Sequence, residues 1–164
     1  MATLRREFLR NSWKLGGSLL GVAAGWTVYE SLRPLANTAS GAKIKLAGVS
    51  AYPPGSATAV TSGRLYIVNT GSRVLALSQK CPHLGCRVPF CESSGQFECN
   101  CHGSKFNIGG EWIAGPAPNG MDRYRLSIDG DNIVVDTSAL IKGPDHGTKR
   151  FTRPAKGPSC APGG

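Results

Sequence analysis

Long apolar runs are what this chain of 164 residues has least of. The longest such stretch, "LGGSLLGVAAGWTVY" over 15–29, is diluted by glycines and stops short of the ~20 residues that span a bilayer comfortably. Sustained helical periodicity is missing after Lys43, which excludes a helical bundle for the body of the chain. No segment repeats, which excludes a solenoid. Aromatic residues make up only 7%, and no basic stripe is interleaved with them. The formal charge of +9 therefore does not indicate nucleic-acid binding. It collects at the two ends: Arg5, Arg6, Arg10 and Lys14 at one, Lys142, Lys149, Arg150, Arg153 and Lys156 at the other. Histidine is scarce as well. There are three, beside six cysteines, yet two of those histidines stand among four of those cysteines.

What is present begins with an address. "LRREFLR", Leu4 to Arg10, resembles the twin-arginine export signal, which serves proteins that cross a membrane already folded. Residues 1–14 read as this cytoplasmic signal region. Residues 15–35 read as a single transmembrane anchor, with Trp26 and Tyr29 where aromatic belts sit. A small-x-small sequence at Ser40 to Ala42 offers a cleavage site, but the retained anchor is the favoured reading. Basic residues ahead of the apolar run place the N-terminus in the cytoplasm and the remainder outside. The small residues of 36–42 read as a flexible hinge.

From Lys43 the patterns are short strands. "KIKLA" alternates, "GRLYIVN" and "SRVLALS" flank a Thr-Gly turn, and "RYRLSI" and "NIVVDT" flank "DGD". "QFEC" is a short strand running into Cys99. Gly (22) and Pro (11) supply many turns. Residues 43–141 are expected to form a small antiparallel β sandwich, all-β, with Cys/His loops inserted between strands. Residues 142–164, rich in Gly, Pro and Lys, read as an extended basic tail.

The loops carry "CPHLGC", Cys81 to Cys86, and "CNCHGS", Cys99 to Ser104. Together they offer more ligands than one tetrahedral metal needs. Zinc sites favour C-x-x-C or H-x-x-x-H pairs, whereas these are Cys81-x-His83 and Cys99-x-x-His102. Two irons bridged by sulfides, one held by thiolates and one by imidazoles, use the set better. Neutral imidazoles in place of thiolates remove negative charge and raise the potential. A zinc site and a redox-active disulfide remain as rival readings.

These two boxes, with "GPAP" at Gly115 to Pro118, resemble the Rieske iron–sulfur protein of cytochrome bc-type quinol oxidases. The resemblance is strong over Cys81 to Pro118 and absent after Leu140. It implies a Rieske-type [2Fe–2S] cluster. Cys81 and Cys99 would hold the buried iron, and His83 and His102 the exposed one. Cys86 and Cys101 would form a disulfide between the loops. Ser104 would donate to a bridging sulfide. His102 would be the catalytic, quinol-facing ligand, with Leu84 and Pro116 shaping the quinol docking surface. The implied role is the electron-transfer subunit of a quinol–cytochrome c oxidoreductase in the bacterial cytoplasmic membrane. The cluster domain would face outward, and the partners would be a b-type cytochrome subunit and a c-type cytochrome. The subunit is not catalytic alone. A Rieske small subunit of an exported molybdenum oxidoreductase, such as an arsenite oxidase, is the alternative. A cytoplasmic Rieske ferredoxin of a ring oxygenase lacks the spare cysteines.

Three departures from the family pattern stand out. Asn100 replaces a frequent Pro. Phe106 stands where bc-type members often carry a Tyr whose hydroxyl donates to a ligand sulfur. Its absence implies a lower potential, so menaquinol is favoured over ubiquinol. Cys91 and Cys160 lie outside the pattern, and either pair with each other or remain free or intermolecular thiols.

Overall fold

The computed structural model describes residues 2–32 and 43–161, in two separate units divided near Thr38. The first unit contains helix α1, Ala2–Leu32. The helix runs unbroken through both the expected signal region and most of the expected anchor. Among the described residues no helix is long and apolar enough to cross a membrane. The expectation of a transmembrane anchor over 15–35 is therefore not supported by this helix. Gly16, Gly17, Gly21 and Gly25 carry no apolar side chain, and Ser18, Thr27 and Glu30 add polarity. The hinge expected at 36–42 lies outside the described residues.

Among the described residues, the second unit has ten antiparallel strands in two sheets. The larger sheet has the order β1-β10-β9-β4-β3-β2, using Lys43–Gly48, Asn132–Ile141, Arg123–Asp129, Val74–Ser78, Leu65–Asn69 and Ser56–Val60. The smaller has the order β5-β6-β7-β8, using Phe90–Cys91, Gln96–Glu98, Lys105–Phe106 and Trp112–Ala114. Both expected hairpins form, β3 with β4 and β9 with β10. In the first, the Asn69 side chain accepts from the Gly71 amide and the Thr70 hydroxyl from the Arg73 amide. These are the local bonds that let Asn and Thr stabilise turns. Gly130 supplies the left-handed residue of the second turn (φ 62°).

Alternation along β3 and β4 divides the core in two. Leu65, Ile67 and Ala76 face Ile133 and Val135, so the larger sheet curls around one apolar cluster. Tyr66, Val68 and Leu77 point the other way, onto Phe97, Phe106, Ile108 and the thiols of Cys81 and Cys99. Tyr66 and Phe97 meet with ring centroids 5.0 Å apart. The smaller sheet is thus seated on the larger by its apolar face, and its opposite end is left to carry loops.

Among the described residues, the segment after β10 has no regular structure, but it does not hang free. Glu111, fully buried, accepts from the amides of Arg150 and Phe151. Glu98, 1% exposed, accepts from the Ser159 hydroxyl and the amides of Cys160 and Ala161. Cys91 and Cys160 are joined by a disulfide.

Candidate metal centre

Both boxes are end loops of short strands, and their backbones fold alike. In the first, the Cys81 amide donates to Cys86 O at 2.7 Å and the Gly85 amide to Cys81 O at 2.9 Å. In the second, the Cys99 amide donates to Ser104 O at 2.8 Å and the Gly103 amide to Cys99 O at 3.0 Å. Gly85 (φ 82°) and Gly103 (φ 74°) occupy the left-handed region that closes each turn. Each loop therefore opens on a buried cysteine and returns five residues later to the same strand end.

Cys81 and Cys99 are buried, unbonded thiols, 3% and 2% exposed. Burial pushes the Cys81 thiol above its ordinary pKa, and a hydrogen bond with the Cys99 thiol adds to the rise. The backbone amides of His83 and Leu84 donate to its sulfur and oppose that rise. A metal that takes the place of the thiol proton keeps those amide bonds, and they then stabilise a thiolate. His83 and His102 stand edge to face with ring centroids 4.9 Å apart. His102 is exposed and His83 half-buried. A disulfide joins Cys86 to Cys101 and fastens one loop to the other. The sulfurs of Cys86, Cys99 and Cys101 lie within 4.8 Å of one another. Two of them are spent in the disulfide, so they do not form a three-thiolate zinc site.

The third side is "GPAP". The Ala117 amide donates to the Ser104 hydroxyl oxygen at 3.1 Å. Gly115 packs so closely that a Cβ there would lie 2.5 Å from Ser104 Cα. Ser104 is buried, while Pro116 is exposed. Leu84, 70% exposed, stands out from the first box. Phe106 is fully buried in the apolar cluster that also holds Cys81 and Cys99. The fold thus gathers Cys81, His83, Cys99, His102 and Ser104, with thiols inside and imidazoles outside. Cys91 and Cys160 belong to the tail attachment.

This donor set fits two irons of unlike environment: two thiols within apolar packing, two imidazoles at the surface, and loops tied together beside them. A sequence profile of the Rieske [2Fe-2S] domain matches residues 42–125. The cytochrome b6-f complex iron-sulfur subunit of Chlorobaculum thiosulfatiphilum is 32% identical over 141 residues, covering 80% of this chain and 74% of its own. The subunit of the same name from Chlorobaculum tepidum is 34% identical over 139 residues, with the same coverage of 80% and 74%. A solved chain from a hyperthermophilic respiratory Complex III aligns at 26% identity and TM-score 0.48, over 73% of this chain and 98% of its own. The chain belongs to the Rieske [2Fe–2S] domain family, and its cofactor is a Rieske-type [2Fe–2S] cluster.

Sequence reasoning missed Glu98, Glu111, Trp112 and His146. Glu98 offered one signal, an acid in a strand beside the second box. Trp112 and His146 become partners only through folding, 34 positions apart.

Proposed function

We propose that this chain is the electron-transfer subunit of a membrane quinol–cytochrome c oxidoreductase. The observation that carries the reading is the pair of matched loops, locked by Cys86–Cys101, presenting His102 and Leu84 at one exposed end. Kinship with subunits named for the cytochrome b6-f complex supports it. Cys81 and Cys99 would hold one iron and His83 and His102 the other. The bound cluster supplies a one-electron acceptor and acidifies the imidazoles that hold it.

The chain's own residues do the rest. Leu84 and Pro116 offer apolar surface to a quinol ring. The outward ring nitrogen of His102 accepts a hydrogen bond from the quinol hydroxyl, then takes its proton as the electron leaves the quinol. The proton would move from the quinol oxygen to the His102 nitrogen, with the bound cluster supplying the one-electron acceptor, and a semiquinone-level product would be left for the b-type cytochrome subunit. The electron then passes to a c-type cytochrome. The two disulfides need an oxidising compartment, which supports export of the folded domain with Arg5-Arg6 as the address.

The test is purification of the tagged chain from its native membranes. The expected result is co-purification of b- and c-type haem, with quinol-dependent reduction of the cytochrome lost in His102→Ala. Recovery of a molybdopterin subunit in place of haem would overturn the proposal in favour of the arsenite-oxidase-like reading.

A further inference from the structure

The tail beyond β10 lies outside both boxes and outside the "GPAP" loop, yet it holds that loop at two points. The Gly120 amide donates to Pro144 O at 2.7 Å. The His146 ring meets Ala117 O through Nε2 at 2.8 Å. A carbonyl oxygen only accepts, so Nε2 carries the proton, and the bond survives in both charge states of the ring. His146 also stacks on Trp112, with centroids 4.0 Å apart and planes 20° apart. Trp112 in turn donates Nε1–H to Gly115 O at 3.0 Å. The loop is therefore fixed at Gly115 by Trp112, at Ala117 by His146, and at Gly120 by Pro144.

The inner face of the same loop is where this matters. The Ala117 amide donates to Ser104 Oγ, which fills one acceptor direction of that hydroxyl. A hydroxyl hydrogen rotates to suit its surroundings. With one direction taken, the Ser104 proton is turned away from the loop. We infer that His146 is a positioning residue for the cluster: by seating Ala117 against Ser104 it sets the direction in which the Ser104 hydroxyl donates. This rests on the reading that Ser104 donates to the cofactor. A hydrogen bond to the cofactor's sulfur stabilises the reduced state and raises the potential. A residue far outside the two Cys/His boxes, and beyond the residues 42–125 that the Rieske profile matches, would thereby tune the electron affinity.

Loss of the His146 contact should not release the tail. Glu111, Glu98 and the Cys91–Cys160 disulfide hold it independently. The full-length, cluster-loaded protein is therefore the right object for a potentiometric titration of four forms: wild type, His146→Ala, Ser104→Ala and the double variant. His146→Ala should shift the reduction equilibrium roughly three- to tenfold toward the oxidised state, about 30–60 mV at ~59 mV per tenfold. The double variant should match Ser104→Ala, because neighbours acting through one bond are not additive. His146→Gln, which retains an N–H donor, should recover most of the shift. Hydrogen–deuterium exchange of peptides covering 112–121 should rise in His146→Ala and not in Ser104→Asn, where an acceptor oxygen remains at 104. A His146→Ala potential equal to wild type, beside a shifted Ser104→Ala, would overturn the inference alone. Full additivity would do the same. An unshifted Ser104→Ala would overturn both the inference and the role of Ser104 on which it stands.

Discussion

Phe106 shows how one missing atom can be read twice. It is fully buried, packed in the cluster that holds both free thiols, and paired across strands with Phe97. A phenol there would bring a hydroxyl into apolar surroundings. A buried hydroxyl without a partner costs about 1–3 kcal/mol, whereas a hydrogen bond to a charged group contributes about 1.5–3 kcal/mol. Phe106→Tyr therefore separates two outcomes. If position 106 reaches a ligand sulfur, the midpoint potential rises by several tens of millivolts, since a tenfold change in a one-electron equilibrium is about 59 mV. Thermal stability of the loaded protein is then retained. If it does not reach, stability falls and the potential stays put. The first outcome is the expected one. It also bears on the donor, since the expectation of menaquinol over ubiquinol rests on that bond being absent. Potentiometric titration and a melting curve on the same two samples decide the matter.

Glu98 and the tail belong to the scale of elements. Burial by itself would raise the Glu98 carboxyl. The hydroxyls of Ser94 and Ser159 and the amides of Ala161 and Cys160 outweigh it and hold the carboxyl below its ordinary range. A group with a depressed folded pKa stabilises the fold fully above its unfolded value, about 4.3 for Glu. That contribution is lost as pH falls through the lower, folded value. Glu98→Gln should melt below wild type at pH 7, by a margin on the order of 2 kcal/mol for weakened bonds to a charged acceptor. The margin should close in acid as the wild-type carboxyl titrates. Parallel melting curves from neutral pH to about pH 3 would show that the carboxylate is not what fastens the tail. The disulfide that shares this attachment spans 69 positions, and closing a loop of that length removes about 4 kcal/mol of unfolded-state entropy. Two unlike fasteners thus act on the same few residues.

At the scale of the whole molecule, the parts legible in the sequence were those encoded over short distances. The hairpins β3–β4 and β9–β10 announce themselves by alternation and turn residues within about 15 positions. The two Cys/His boxes are contiguous hexapeptides, Cys81–Cys86 and Cys99–Ser104, whose residue types suit the chemistry. β2 escaped notice because "SATAV" has small side chains and weak alternation, and β5, β7 and β8 because two or three residues carry no period. The tail's path could not be read because Glu98, Glu111 and Trp112 find their partners 34 to 63 positions away. The anchor expected over 15–35 finds no support in α1, whose glycines dilute its apolar run. What that helix does carry is Arg5 and Arg6, exposed on α1. If they are the export address, the folded domain crosses to the oxidising side as a unit, and both disulfides form there. Arg5→Lys with Arg6→Lys keeps the charge and removes the guanidinium pair. This double variant should remain on the cytoplasmic side with Cys86, Cys101, Cys91 and Cys160 reduced. Thiol alkylation followed by intact-mass measurement counts them directly: four added labels relative to the exported protein, beyond any on Cys81 and Cys99. Fractionation reports the compartment from the same cells. A double variant that is still exported and still oxidised would show that the paired arginines are ordinary helix surface. Disulfides present in retained protein would show that they form without export.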